Sequence, residues 1–292
     1  MMASKLLAGV KKAGGEQPSP AVCPNNHVVA RMIRISNVDM ASAYTGFDHM
    51  QMSHDGQYVC IIGTPVSGVV NTISCHNLTV AYDITSIVMA PTNSYVFTEA
   101  TNVTGIKGFA LNLAGTKIIL CISDPLGDTY YQEYSLTGIS NLSSMTFIQD
   151  YLDNFSRGQI SVSTDGLHIF SHGVTSLKDE AAQIDVTNPW TLDGITGVPY
   201  YLIKEGNCKS TVIDPCGENM YFNNSALRGY YQYKLNSPND ITDGILNTNP
   251  YSEKKFNLGF VSAVFTCMAP NGLYLYNRMS DALLIYQWEL HE

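Results

Sequence analysis

The sequence predicts an all-β protein built as a five-bladed β-propeller. Five segments share one pattern, in which an alternating apolar strand is followed by a tight glycine turn, a second apolar strand and a third strand that is often rich in tyrosine. Their turn glycines lie 51 to 59 residues apart, and four-stranded units of roughly 50 to 60 residues are typical of propeller blades. Charged residues make up only 14% of the chain, a balance that disfavours a mostly helical protein. The five turn glycines are Gly56, Gly115, Gly166, Gly217 and Gly272.

Each element of the repeat has a local reason. A tight connection between antiparallel strands needs a residue at positive φ, which glycine adopts without a Cβ clash. The third strands at 130–136, 230–235 and 284–290 alternate apolar and polar side chains with the period of two that a half-buried strand requires. In the first repeat, residues 70–75 and residues 78–82 both fit the third strand, and the sequence leaves this choice open.

The ends of the repeat array predict how the ring closes. A fourth strand follows in the first four repeats, whereas the fifth repeat lacks one and residues 28–36 form a spare strand ahead of the first repeat. An open ring would leave one raw sheet edge, so we expect residues 28–36 to complete the last blade. The predicted organisation is an arm at 1–27 and a propeller at 28–292, with blades at 44–100, 105–152, 157–204, 207–258 and 260–292 plus 28–36.

The repeats also resemble a known group of proteins. The motif Ser-x-Asp-Gly occurs at 53–56 and 163–166, and the fourth repeat continues with Tyr-Gln-Tyr-Lys-Leu-Asn-Ser-Pro-Asn-Asp-Ile at 231–241. This arrangement resembles the β-propeller repeats of surface and virion proteins of marine bacteria and bacteriophages. The first two repeats depart from it by lacking the proline. The resemblance implies the fold and a role on a virus particle or cell surface, but propellers host unrelated functions.

Composition excludes several classes of partner. With a formal net charge of −9 the chain repels polyanions, so we expect no nucleic-acid partner. No apolar run approaches the roughly 20 residues of a membrane-spanning helix, and the apolar stretch at 6–10 is too short for a secretory signal, so we expect no membrane partner and no signal peptide. Seven cysteines without a Cys-x-x-Cys pair predict reduced, buried thiols.

A search for catalytic chemistry finds no complete set. Motifs of metalloproteases, α/β-hydrolases, P-loop proteins and dinucleotide-binding proteins are missing from the sequence. Propeller glycosidases need two carboxyl groups, yet the position eight residues before the turn glycine is acidic only at Asp48. The acidic pair Asp124 and Asp128 favours an Asx turn over a calcium site. We therefore expect no enzyme activity, no cofactor and no metal.

Several residues outside the repeat pattern are candidates for contacts. Alignment on the turn glycines places three cations near one mouth of the central channel, where they could bind an anionic sugar or an acidic loop of a neighbour. Three tyrosines on outer strands or loops are suited to an interface, since tyrosine offers a large rigid contact area. The cations are Lys107, Arg157 and Lys209, and the tyrosines are Tyr200, Tyr201 and Tyr251.

The first 27 residues lie outside the predicted ring. Residues 4–12 could form a short amphipathic helix with Leu6, Leu7 and Val10 on one side, followed by a linker rich in glycine and proline. One interpretation is a frayed terminus. The other is an arm whose three apolar side chains anchor the propeller in a larger assembly.

Two hypotheses for the function follow. The first is a non-enzymatic structural protein of a virus particle, in particular of a tailed bacteriophage, which is located in the virion and contacts other virion proteins. The second is a carbohydrate-binding adhesin or receptor-binding module that holds a host surface glycan between blades. Matching aromatic side chains in every blade would favour the second hypothesis, and the divergence between the repeats argues against five equal sugar sites.

Overall fold

Five four-stranded antiparallel sheets form the molecule. The computed structural model describes residues 31–97, 105–124, 126, 128–153, 157–174, 179–204, 208–224, 229–235, 237–241, 253–257, 263–279 and 282–291. In each sheet the strands lie side by side in chain order, except that one sheet takes its outermost strand from the start of the described chain. The five innermost strands contact one another in a closed cycle around a central channel. The predicted five-bladed propeller is thus confirmed.

The strands fall into five blades, each counted from the channel outwards. Blade 1 contains β2 (Tyr44–Met52), β3 (Tyr58–Pro65), β4 (Thr72–Asn77) and β5 (Asn93–Val96), and blade 2 contains β6 (Gly105–Leu111), β7 (Lys117–Ser123), β8 (Thr129–Ser135) and β9 (Thr146–Asp153). Blade 3 contains β10 (Arg157–Val162), β11 (His168–Val174), β12 (Asp179–Asp185) and β13 (Thr196–Lys204), and blade 4 contains β14 (Cys208–Ile213), β15 (Asn219–Asn224), β16 (Gly229–Lys234) and β17 (Glu253–Asn257). Blade 5 contains β18 (Ala263–Met268), β19 (Tyr274–Met279), β20 (Leu284–His291) and β1 (Arg31–Asp39).

The ring is closed by β1. It pairs antiparallel with β20 from Arg31 opposite His291 to Asp39 opposite Leu284, with one irregularity after Arg34. The strand therefore runs three residues beyond the predicted range of 28–36. Closure in this way leaves blade 5 with four strands like the others, because the first described strand supplies its outer edge.

A hydrophobic core fills each junction between neighbouring blades. Between blades 5 and 1, for example, Phe47 and Met50 pack with Phe265 and Tyr276, all of them fully buried. Each of the five junctions has a cluster of this kind. Most tyrosines that alternate along the third strands, such as Tyr131, are part of these cores, so they serve the packing of the ring.

In blade 1 the structure decides which segment forms the third strand and corrects the expected state of two cysteines. Its third strand is β4, which corresponds to the first of the two alternatives. The expectation of reduced thiols is wrong for Cys60 and Cys75, which form a disulfide between β3 and β4. The two residues are direct cross-strand partners, a register that the spacing of cysteines in the sequence does not show. Cys121 and Cys267 are buried free thiols.

Candidate functional site

The propeller has two faces with different local structure. We call the face with the glycine turns between the first and second strands of each blade the turn face. The opposite face, where the innermost strands begin and the second strands end, is the bulge face, named for an irregularity described below. Antiparallel order also places the loop between the third and fourth strands on the turn face.

The turn face is built from the repeated turn. Its glycines have φ values of 65° to 76°, which a side chain disfavours. In blade 1 the ring of Tyr82 covers Gly56, so that an added Cβ would lie 2.6 Å from it, and in blade 3 Trp190 covers Gly166 in the same way. Tyr82 and Trp190 are themselves left-handed, at 64° and 58°, and each donates its backbone N–H to the carbonyl of its turn glycine. The Ser-x-Asp-Gly motif is therefore structural.

Polar side chains on the turn face join four of the blades to the next one among the described residues. Gln287 of blade 5 accepts a hydrogen bond from the N–H of Ile84 in blade 1 (3.1 Å). Gln183 of blade 3 accepts from Ile241 in blade 4 (2.9 Å), and Glu133 of blade 2 accepts from Leu192 in blade 3 (2.9 Å). These acceptors occupy the same register on the third strand, each opposite the residue four positions after the turn glycine.

Blade 1 uses a residue on a different strand to accept the N–H of the next blade. Its equivalent position is Cys75, which is engaged in the disulfide. The acceptor is instead Asn93, the partner of Cys75 on the adjacent strand β5, and its Oδ1 accepts from the N–H of Leu142 in blade 2 (3.0 Å). The amide acceptor of blade 1 therefore lies on the fourth strand and not on the third, and the hydrogen bond to the next blade is retained.

The acceptor in blade 2 is the only one of these four that is ionisable. Glu133 is 1% exposed, and its carboxylate receives Lys117 Nζ at 2.9 Å, Gln149 Nε2 at 2.8 Å and the N–H of Leu192. Burial alone would raise the pKa of Glu133, but these hydrogen bonds and the charge of Lys117 hold it below its usual value. The ion pair lies within blade 2, and its carboxylate joins blade 3 to blade 2 through the N–H of Leu192.

The bulge face carries an irregularity at the same place in every blade, and blade 1 has a second one between Tyr44 and Gly46. In blade 2, Ile106 and Gly108 oppose the consecutive residues Ile122 and Cys121, so that Lys107 is extra. The other four inner strands have one extra residue at the same place. Bulges of this kind redirect side chains and are frequent at barrel rims and beside active sites. The position eight residues before the turn glycine, which we call the bulge ring, is occupied by Asp48, Lys107, Gly158, Lys209 and Val264.

A cavity opens on the bulge face beside the bulge ring. Its volume is about 610 Å³, within the range of roughly 300 to 1,000 Å³ for small-molecule sites. Asp48 and Lys107 line it with Asn71, Gln159 and His172, and no Trp, Tyr or Phe side chain is among its described lining residues. The cavity can therefore offer hydrogen bonds and charges of both signs, but no aromatic platform for stacking.

The loops between the second and third strands of blades 1 and 2, on the same face as the cavity, expose apolar side chains. The loop between β3 and β4 presents Val66, Val69 and Val70 at 56% to 58% exposure, and Val70 also lines the cavity. The corresponding loop of blade 2 presents Leu126 at 86% exposure. Exposed apolar side chains grouped on one face are typical of a surface that another molecule covers.

The rim of blade 2 is a second apolar surface. Its outer strand β9 lies at the edge of its sheet and exposes Phe147, Ile148 and Leu152. An edge strand with exposed apolar side chains is suited to pairing with a strand of another chain. The rim and the β3–β4 loop therefore give blades 1 and 2 two surfaces that favour protein contacts.

The wall of the channel contains a buried histidine. His49 Nε2 donates to the carbonyl of Phe109 at 3.0 Å, and the two rings meet edge to face with centroids 5.0 Å apart. Its Nδ1 has no hydrogen-bond partner among the described residues. Burial lowers the pKa of His49 to about 4, against the opposing effect of the Phe109 hydrogen bond. His49 is therefore neutral at neutral pH and joins blades 1 and 2 by packing.

Charges at the bulge face are mixed. Arg278 donates from Nη1 to the carbonyl of Phe47 and lies 4.8 Å over the Phe47 ring. Burial lowers the pKa of Arg278, and the carboxylate of Asp48 opposes that shift. With Lys107 exposed on the neighbouring blade, the mouth presents one carboxylate between two cations.

The structure brings together only part of the predicted site. Lys107 belongs to the bulge ring and is exposed in the cavity, as an alignment on the turn glycines predicts. Arg157 and Lys209 lie at the starts of β10 and β14 on the same face, and Tyr200 and Tyr201 lie in β13, but the side chains of these four are outside the described residues. The remaining candidates lie wholly outside the described residues, namely Leu6, Leu7, Val10 and Tyr251.

Sequence reasoning missed the exposed valines of the β3–β4 loop. The segment Pro-Val-Ser-Gly-Val-Val-Asn at 65–71 places three valines in a loop, where turn residues are usually polar. That contrast was the available signal, but Val70 also fitted the start of a strand. The exposed positions therefore became visible only once β4 was seen to begin at Thr72.

Within the described residues no group of three or more His, Cys, Asp or Glu side chains could hold a metal ion. Asp124 Oδ1 accepts from the N–H groups of Leu126 (2.9 Å) and Asp128 (2.8 Å), which is the predicted Asx turn. No helix in the part of the chain that the structure covers is long and apolar enough to cross a membrane.

Comparisons with known proteins reveal similarity of fold alone. No protein-family model and no curated protein matches the chain. Among solved structures, a functionally unknown protein from Desulfotomaculum acetoxidans DSM 771 is similar over 80% of this chain, with 11% identity and a TM-score of 0.46. The alignment spans 62% of that protein's own length.

Proposed function

We propose that the chain is a non-enzymatic structural protein of a virus particle, in particular of a tailed bacteriophage, and that its bulge face binds another virion protein. The observation that carries the proposal is the group of three exposed valines in the β3–β4 loop of the bulge face, one of which, Val70, lines the cavity. The resemblance of the repeats to virion and surface propellers supplies the setting.

The internal structure supports a passive role. Five junctions filled by hydrophobic cores, four of them joined at the turn face by side-chain hydrogen bonds, suit a platform that holds partners in fixed positions. The disulfide between Cys60 and Cys75 adds to this picture. Disulfides persist in oxidising settings such as virion and cell surfaces and are rare in the cytosol.

The test is the protein composition of purified particles. Particles assembled from the genome that encodes the chain should contain it at a fixed copy number relative to the major capsid protein, measured by quantitative mass spectrometry after gradient purification. A host protein of similar abundance serves as the control for contamination. Absence of the chain from the particles, or an amount that falls with each purification step, would refute the proposal.

A glycan-binding role is the second candidate. It is favoured by the polar groups of the cavity, where Asp48, Asn71 and Lys107 could bind sugar hydroxyls or an anionic sugar. The missing aromatic platform weakens it, because sugars in proteins are commonly held by stacking on aromatic rings as well as by hydrogen bonds. Binding on a glycan array that is lost in a Lys107→Glu variant would support this candidate, and a flat array would remove it.

A further inference from the structure

A further cavity lies in the central channel at the turn face, and we call it the channel cavity. Its volume is about 90 Å³, and every blade contributes residues to its wall. No described residue lines both this cavity and the one on the bulge face. The residues two positions before the turn glycines all line it, namely His54, Leu113, Thr164, Pro215 and Pro270. The glycine turns themselves therefore surround its mouth.

The side chain of Gln159 separates the two cavities. From blade 3 it reaches across the channel, where Nε2 donates to the carbonyl of Asp48 in blade 1 (3.2 Å) and Oε1 accepts from the N–H of Thr266 in blade 5 (3.4 Å). Gln159 is buried and lines the cavity of the bulge face, whereas Thr266 lines the channel cavity. A molecule in the channel cavity therefore enters from the turn face.

Most of the wall of the channel cavity is apolar. Its apolar side chains include those of Met50, Phe109, Ile160, Trp190 and Val212. Some polar side chains of the wall already have protein partners. Gln51 Oε1 accepts from the N–H of Leu111 (2.7 Å), and Thr164 Oγ1 donates to the carbonyl of Pro215 (2.6 Å). An apolar wall with a few polar groups is typical of a small-molecule site.

Three polar atoms of the wall have no hydrogen-bond partner among the described residues. They are Nδ1 of His49, Nδ1 of His54 and Oγ of Ser161, and each is shielded from solvent. The first two belong to blade 1 and the third to blade 3. Because buried polar groups in folded proteins are nearly always hydrogen-bonded, these three atoms indicate a site for a polar molecule.

The lining residues define the chemistry of that molecule. His49 Nε2 donates to the carbonyl of Phe109, so in the neutral ring Nδ1 carries a lone pair and needs a donor. The hydroxyl of Ser161 can donate to an acceptor. Asp214 is the only carboxylic acid among the described lining residues, none of which is Lys or Arg, and its carboxylate already accepts from Asn219 Nδ2 at 2.7 Å. A charged molecule would lose its hydration there without gaining a partner of opposite charge.

The volume limits the size of the molecule. A cavity of about 150 Å³ holds benzene, so at the same ratio 90 Å³ holds about four non-hydrogen atoms. A primary amide of that size has two N–H donors and one carbonyl, which can serve all three unpartnered atoms, whereas a simple alcohol offers one donor.

We propose that the channel cavity binds a small neutral primary amide, whose N–H donates to His49 Nδ1 and whose carbonyl accepts from Ser161 Oγ. Such a group belongs either to a free molecule or to an asparagine or glutamine side chain of another chain. The site is separate from the bulge face, so it exists whether or not a virion protein binds there.

Matched ligands test the need for a donor. Acetamide, acetone and acetate have the same number of non-hydrogen atoms, but acetone lacks the N–H group and acetate carries a charge. The measurement is an NMR titration at pH 7 of the full-length chain labelled with ¹⁵N at histidine, with the His49 signals assigned from a His49→Gln variant. We expect a saturable shift of the Nδ1 signal with acetamide at roughly millimolar concentration, and binding of acetone and acetate that is weaker by about tenfold. No binding of acetamide, or equal binding of acetone, would overturn the proposal.

A pair of serine variants tests the position of the site. Ser161→Ala removes the hydroxyl from the wall and should weaken acetamide binding by about fivefold. Ser171→Ala is the matched control, because Ser171 Oγ is also buried without a partner among the described residues but does not line the cavity. It should leave the affinity unchanged. Equal effects of the two variants would contradict the site, and the ligand series on the unchanged chain still decides if either variant fails to fold.

A capped amino acid distinguishes the two sources of the amide. N-acetylglutamine methylamide presents the side-chain amide, and the corresponding glutamate compound controls for contacts of the caps. Tighter binding of the glutamine compound than of acetamide would support a side chain from another chain, and tighter binding of acetamide would support a free molecule. Equal binding of the glutamine and glutamate compounds, with no binding of acetamide, would overturn the proposal.

Discussion

The turn face and the bulge face use the same five repeats in opposite ways. At the turn face four blades share a covered glycine at positive φ, and four junctions share an acceptor for the next blade, even where Cys75 forces the amide onto Asn93. At the bulge face the shared feature is only the bulge itself, and the residue it presents changes from Asp48 to Lys107 to Gly158. Positions that hold the ring together are therefore constant in role, whereas the bulge-ring positions differ from blade to blade. Substitutions at the two faces should separate stability from binding.

The largest loss of stability should come from the covered turn. In Gly166→Ala the new methyl group would overlap the indole of Trp190 at a backbone φ of 76°. Strain and displacement of Trp190 together should reduce the free energy of unfolding by about 4 kcal/mol. Gly46→Ala is the matched control, since nothing lies within 4 Å of that Cβ, and it should change stability by less than about 0.5 kcal/mol. Equal effects in urea denaturation would contradict the role assigned to the covering residue.

The next largest effect concerns Glu133, whose carboxylate pairs with Lys117 in blade 2 and accepts from blade 3. Glu133→Ala leaves Lys117 without its carboxylate and the N–H of Leu192 without its acceptor, which should cost about 3 kcal/mol. Glu133→Gln restores the amide that Gln183 and Gln287 use at the same register and should recover at least half of that loss. If glutamine is as damaging as alanine, the equivalence of the junctions is wrong.

Because His49 is buried in the channel wall between the two faces, we expect the free energy of unfolding to depend on pH. The pKa of His49 is lowered from 6.5 to about 4, so between these values the unfolded chain takes up a proton that the folded chain does not. The free energy of unfolding should therefore fall as the pH decreases through this window, by up to about 3 kcal/mol. His49→Gln keeps a donor for the Phe109 carbonyl and should flatten the slope between pH 7 and pH 4.5. An unchanged slope would show that His49 is not the group that titrates.

The smallest effect on stability is expected at the bulge face. Lys107 is exposed, and the double variant Lys107→Glu with Lys209→Glu should unfold within about 0.5 kcal/mol of the unchanged protein. Any anionic partner of this face should lose affinity at least tenfold, because two attractive charges become repulsive. A loss of several kcal/mol in stability would instead make these lysines part of the fold.

The sequence predicts those features that each repeat encodes locally. Gly56 and Gly166 mark turns because positive φ is a property of one residue, and alternation marks strands because the period of two is local as well. The disulfide between Cys60 and Cys75 depends on cross-strand register, and the bond from Ile84 to Gln287 joins residues 203 positions apart. Neither leaves a local signal. Alignment on the turn glycines brings the bulge-ring residues to the same position in every repeat. It does not reveal that this position is an extra residue in the inner strand, because that depends on how the strand pairs with its neighbour.

The proposed binding of a partner at the bulge face, and not at the turn face, can be tested within blade 1. Blade 1 offers a matched pair of surfaces, with exposed Val69 and Val70 on the bulge face and exposed Val80 and Val88 on the turn face. The measurement is the copy number per particle of a Val69→Asp, Val70→Asp variant and of a Val80→Asp, Val88→Asp variant, each supplied in place of the unchanged chain. We expect at least a tenfold loss for the first variant and full incorporation of the second. Equal incorporation of both, or loss of the second alone, would contradict the proposed binding.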